Sequence, residues 1–184
     1  RAALGEALER DWIDNNVARD VKLVRNRRHE AERVSPTKAE IRILIDKVPE
    51  RHRPMITTAI FTGMRLSELR GLTWDCVCFD VQVIRIEKRA DRYNTMGKPK
   101  SRSSKRNIPM APSVVRILTA WKDICPKGDL DLVFPNGIGN VENHSNISNR
   151  VFAPLLINNG IVDIDGKPKF SFHSLRHAAA SLFI

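Results

Sequence analysis

The stretch Thr62-Gly63-Met64-Arg65-Leu66-Ser67-Glu68-Leu69-Arg70-Gly71-Leu72-Thr73-Trp74-Asp75 joins three kinds of structure, and its punctuation decides how they meet. Just upstream, Met55 to Phe61 is nearly all apolar apart from two threonines, which predicts a buried helix. Gly63 follows as the residue past its end, where a left-handed backbone is favoured. A short second helix then starts near Leu66 and sets Arg65 at a helix N-terminus. Free backbone N–H groups and the helix dipole favour an anion there. Beyond Trp74 the period changes. Val77 and Phe79, then Val81 through Glu87, have the β-branched content of two strands, and Ile108 opens a third.

Further upstream, Leu4, Leu8 and Trp12 fall at steps of four beside Ala3 and Ala7, so residues 1–14 read as a helix that Asn15-Asn16 ends. Residues 17–34 are polar and basic, with Arg25, Arg27, Arg28 and Arg33, and read as a linker. The main domain is expected from Ser35 onward. Thr37-x-x-Glu40 is a capping-box pattern, and Ile41, Leu44, Ile45 and Val48 form a helical apolar stripe. Downstream, Pro112 opens a helix with Val114, Ile117, Leu118 and Trp121 on one face. Ile147, Val151, Phe152, Leu155 and Leu156 predict another, kinked at Pro154 and closed by Gly160. A loop over 163–169 leads into a last helix. The fold class is α+β, mostly α-helical, with a small three-stranded antiparallel sheet.

Composition narrows the function. Of 184 residues, 42% are hydrophobic, enough for a core, and 31 Lys and Arg face 21 Asp and Glu, a formal charge of +10. Such an excess suggests a polyanionic partner, nucleic acid or an anionic membrane surface, and with no membrane-length apolar run nucleic acid is the expected one. Residues 85–106 hold nine basic residues against Glu87 and Asp91, a local +7 on one hairpin with its tip near Gly97. Cys76, Cys78 and Cys125 are odd in number and lack zinc spacing, so they read as reduced thiols of a cytoplasmic protein, which with a DNA partner would be nucleoid-associated.

The C-terminal stretch Phe172-His173-Ser174-Leu175-Arg176-His177, followed by a small helix-forming run, places His173 and Arg176 on one helical face. A titratable imidazole beside a permanently charged fork suits a phosphodiester, which needs both a cation and a group to move a proton. Together with the Thr62–Asp75 stretch, this segment resembles the tyrosine recombinase (phage integrase) family, which carries TG-x-R-x-x-E-L-x-x-L-x-W and, later, H-x-L-R-H. Between them, Lys98-Pro99-Lys100-Ser101-Arg102-Ser103-Ser104-Lys105-Arg106-Asn107-Ile108-Pro109 is similar to that family's lysine hairpin. The resemblance covers nearly the whole chain.

It implies a catalytic domain over 35–184, preceded in 1–34 by the end of a core-binding domain helix and a linker. It further implies DNA integration or excision in a phage or mobile element, by strand cleavage and rejoining through a 3′-phosphotyrosine. Double-stranded DNA would be the partner, with an oligomer on it, and neither metal nor other cofactor is implied. Arg65 and Arg176 would hold the scissile phosphate, and His173 would assist proton movement. Lys100 would protonate the departing 5′ oxygen, with Lys98 as its competitor, and Glu68 would support Arg65. Arg89, Arg92, Lys98, Arg102, Lys105 and Arg106 would bind DNA. The family's nucleophilic tyrosine should follow H-x-L-R-H by a few tens of residues, beyond Ile184. Tyr93, the single tyrosine, lies in the hairpin. The expectation is therefore a fragment with most of the pocket and no nucleophile.

Other readings survive less well. His173-x-x-x-His177 has the spacing of a zinc helix, but Ser174 stands where a metalloprotease needs Glu and Arg176 would repel a metal. Gly97-Lys98 lacks the earlier glycine of a phosphate loop. A type IB topoisomerase, which uses a similar residue set, and a non-catalytic DNA-binding regulatory module related to recombinases remain as alternatives.

Overall fold

In the computed structural model, the described residues are 2–18, 34–99 and 105–182, and the chain divides into two units, 1–33 and 34–184. In the first, helix α1 (Ala2–Glu9) carries an Arg10–Glu6 ion pair of 2.6 Å on its surface. The helix expected through residue 14 stops earlier. Asp11 turns the backbone left-handed (φ 55°), and Trp12, beyond that turn, is 71% exposed instead of continuing an apolar face. The arginines of the expected linker lie outside the described residues.

The second unit is built around α3 (Arg53–Thr62), in which every residue from Pro54 to Ile60 is buried. A helix apolar on all sides must be surrounded. Helices α2 (Lys38–Lys47), α4 (Leu66–Arg70), α5 (Pro112–Ile124) and α7 (Ser174–Leu182) all pack against it. The capping box of α2 forms as expected: Glu40 N–H donates to Thr37 Oγ1 (3.2 Å) and Thr37 N–H to Glu40 Oε2 (2.7 Å). Lys169 Nζ reaches the same carboxylate at 2.7 Å, tying α2 to the turn before α7. Gly63 ends α3 at φ 60°, and a Cβ on it would stand 3.1 Å from that of Ala179, so the left-handed cap also lets α7 approach.

Strands β1 (Val77–Cys78), β2 (Val83–Ile86) and β5 (Arg106–Pro109) make the three-stranded antiparallel sheet in that order, with Ile84 opposite Ile108 and Ile86 opposite Arg106. The third strand thus starts at Arg106, two residues before the expected start. A separate two-stranded ribbon, β3 (Arg89–Ala90) with β4 (Met96–Gly97), was not expected. Gly97 lies in β4, so the ribbon tip is Asp91–Thr95. Asp91 Oδ1 accepts from the N–H groups of Tyr93 (2.8 Å) and Thr95 (3.0 Å), and Asn94 is left-handed, a local turn that needs no glycine.

Trp121 of α5 donates from Nε1 to Val133 O at 2.6 Å. The expected kink at Pro154 takes another form. Residues Asn146–Phe152 are π-helical and pass into α6 (Ala153–Asn158), and Pro154 sits in the first turn of α6, where no N–H is required. Helix α7 begins at Ser174, so His173 immediately precedes it. Phe172, Leu175, Ala178 and Ala179 anchor this end in the core. Among the described residues the cysteines are free, no helix is long and apolar enough to cross a membrane, and no group of three His, Cys, Asp or Glu could hold a metal.

Candidate active site

A single buried carboxylate organises the site. Glu68, the third residue of α4, is 3% exposed and reaches back to the start of its own helix. Its Oε2 accepts from the Arg65 N–H at 2.9 Å, and its Oε1 from Arg65 Nη1 at 3.0 Å. From β5, Arg106 closes on both oxygens, Nη1 to Oε1 at 3.0 Å and Nη2 to Oε2 at 2.8 Å. Four donors thus fill the acceptor sites of one ionised carboxylate. Burial pushes this carboxyl up, but the Arg106 bonds, the Arg65 N–H, the Arg106 charge and the Arg65 guanidinium together hold it below its ordinary value.

From α7, Arg176 Nη1 donates to Gly63 O at 2.5 Å, just before Arg65 in the chain. Burial, with the Arg65 and Arg106 charges behind it, lowers the Arg176 pKa, and Glu68 opposes the shift. Three guanidinium groups against one carboxylate leave an excess of positive charge in a partly desolvated place. The arrangement can hold an anion with several oxygens.

Two cavities adjoin this cluster. One, of about 350 Å³, is lined by Arg65, Ser67, His144, Ser148, Ser171 and His173. The other, of about 720 Å³, is largely apolar, with Phe61, Ile108 and Met110 in its wall and Arg106, Arg176 and His177 along it. The rings of His173 and His177 meet edge to face, centroids 5.3 Å apart. The structure therefore brings together Arg65, Glu68, Arg176 and His173, all singled out by sequence. Arg106, grouped with the hairpin cations, is found here too. Lys100 and Arg102 lie outside the described residues. Arg92, over the Tyr93 ring at 4.7 Å, and Lys98, whose carbonyl accepts from Arg89 Nε at 3.2 Å, belong to the ribbon, while Lys105 is exposed next to β5.

Two residues escaped the sequence reading. His144 shares the smaller cavity with Arg65 and His173, and burial, then the Arg70 charge, keep its pKa below the ordinary value. Arg70, at the far end of α4, is 1% exposed. It donates from Nε to Glu142 O at 2.6 Å, from Nη1 to Asp91 O at 3.0 Å, and from Nη2 to Asn94 Oδ1. One five-residue helix thus presents Arg65 to the pocket at its start and clamps the ribbon tip at its end. Gly71 permits this, since a Cβ there would fall 2.5 Å from the Arg89 backbone.

A family model described as the phage integrase family matches residues 27–184. Among solved structures, the Tn1549 transposon integrase in complex with transposon right end DNA superposes with a TM-score of 0.80 at 24% identity, covering 99% of this chain and 63% of that one. A lambda integrase tetramer bound to a Holliday junction gives 0.70 at 18% identity, covering 99% and 51%. The XerA recombinase gives 0.65 at 22%, covering 85% and 51%. No curated protein matches. At these identities the structural likeness is one of fold, and the chain spans less than two thirds of the length of these relatives.

Proposed function

Because the chain belongs to the phage integrase family, we propose that it supplies the phosphate-binding part of the active site of a site-specific DNA recombinase. The observation that carries this is the set of three guanidinium groups around buried Glu68, with His173 beside Arg65 on one cavity. Arg65 and Arg176 hold the non-bridging oxygens of the scissile phosphate and stabilise the charge that builds as phosphorus becomes five-coordinate. A tyrosine oxygen attacks phosphorus, the bond to the 5′ oxygen breaks, and Lys100 gives that oxygen a proton. His173 assists proton movement at the phosphate, and Glu68 steers Arg65.

Tyr93 is exposed in the ribbon turn and lines neither cavity, which supports a different tyrosine as the nucleophile. Residues 1–34 then represent the end of a core-binding domain and its linker, and 35–184 part of the catalytic domain. Double-stranded DNA is the substrate and the working form is an oligomer on it, in keeping with DNA-bound integrase relatives that include a tetramer.

A nicked suicide duplex tests the reading. Protein carried through its natural C-terminus should form a covalent 3′-phosphotyrosine adduct, seen as a shifted band on a denaturing gel, and residues 1–184 should form none. Arg65→Ala or Arg176→Ala should lower cleavage by about 2–4 kcal/mol of barrier while DNA affinity changes much less. Undiminished cleavage in both variants overturns the assignment, and a covalent band from residues 1–184 refutes the placement of the nucleophile.

A further inference from the structure

We propose that Arg106 is a positioning residue of the phosphate pocket: by gripping both oxygens of Glu68 it locks strand β5 to the start of α4 and holds Arg65 in its working orientation. The inference rests on the recombinase reading and adds to it a residue that acts through Glu68 and need not touch DNA.

The geometry separates Arg106 from the other hairpin cations. The Arg106 side chain is 27% exposed, and its fork engages a 3% exposed carboxylate at 3.0 and 2.8 Å. Burial along β5 alternates, with Arg106 and Ile108 partly covered and Asn107 and Pro109 exposed, so the strand itself turns Arg106 toward the α4 side. Opposite it, Ile86 fixes the register.

Removing the fork would empty two of the four acceptor sites on a buried carboxylate. The charged groups facing Glu68 are Arg65 from its own helix, Arg106 from β5 and Arg176 from α7. Without Arg106 the burial of Glu68 is opposed by less positive charge, and the carboxyl takes up a proton at higher pH. Once protonated, Glu68 carries no charge and one of its oxygens becomes a donor, so it no longer holds both the Arg65 N–H and the Arg65 guanidinium as the carboxylate does, and Arg65 loses its fixed orientation.

The test uses the protein carried through its natural C-terminus and measures single-turnover cleavage of the suicide duplex against pH, beside a salt titration of DNA binding. In Arg106→Gln the acid limb of the cleavage profile should move up by about one to three pH units, with the salt slope of binding unchanged. Arg106→Lys, which can hold one oxygen but not both, should lie between. In a Glu68→Gln background, Arg106→Gln should add no acid limb. A profile that superposes on the parent, or a salt slope reduced by about one unit as for a lost phosphate contact, overturns the proposal. Should Arg106→Gln not fold, the Arg106→Lys profile decides by the same criterion. An unsubstituted protein that forms no adduct refutes the recombinase reading, and this inference with it. Normal cleavage with an unmoved limb refutes this inference alone.

Discussion

Replacing Arg70 by Met should destabilise the domain substantially while leaving its shape intact. The thioether stem fills most of the volume of the arginine stem, so the cavity created is small. What is lost is three hydrogen bonds donated by a side chain only 1% exposed; the one to Glu142 O is buried, and those to Asp91 O and Asn94 Oδ1 are part-buried. At about 1 kcal/mol or more for each orphaned acceptor the gross loss is roughly 3–5 kcal/mol. Relief from burying a cation, the chief cause of the lowered Arg70 pKa, returns part of this. The net expectation is about 2–4 kcal/mol, equivalent to about 10 °C in melting temperature for a chain of this size. Denaturant unfolding should show the loss as a lower midpoint with unchanged slope. Amide exchange at Asp91–Thr95 should quicken by more than the global loss explains, because these residues depend directly on the clamp. A midpoint within about 1 kcal/mol of the parent, with exchange at the ribbon tip unaltered, would refute the argument that Arg70 holds that turn.

Two further expectations follow from charge. Glu68 and Glu40 both titrate below their ordinary value of 4.5, so each contributes stability that is complete above that pH and is lost as pH falls through its folded-state value. The stability deficit of Glu68→Gln relative to the parent should therefore shrink below pH 4.5, as followed by the unfolding midpoint, and a constant deficit would contradict it. For DNA binding, replacing Lys98, Lys100 and Arg102 together should flatten the dependence of log K on log salt by roughly 2–3 units, at about 0.9 per phosphate contact. An unchanged slope would place the contact surface elsewhere.

Local signals were legible because the residues that decide them are close in sequence. The capping box of Thr37 and Glu40, the left-handed cap at Gly63 and the proline start of α5 each depend on four residues or fewer. The start of α4 was legible for the same reason, and with it Arg65 and Glu68. Arg70 was not. Its burial depends on carbonyls 21 and 72 residues away, and no local pattern tells a surface arginine from one whose acceptors arrive from two distant loops. His144 entered the site in the same way, through a cavity that exists only once the chain before α6 and the start of α7 have packed near α4.

Arg106 shows how a small shift of boundary changes the role a residue is given. A third strand begun at Ile108 leaves Arg106 in the preceding charge run, where it reads as one more cation of a DNA-facing hairpin. Begun at Arg106, the same strand puts it on the side of Ile108 by the two-residue period alone, and Asn107 on the other side. The side shared with Ile108 is partly covered, so a charge placed there gains from an opposite charge, and buried Glu68 lies within reach. The charge count of the hairpin was therefore correct, while its division between surface and pocket depended on two residues of strand.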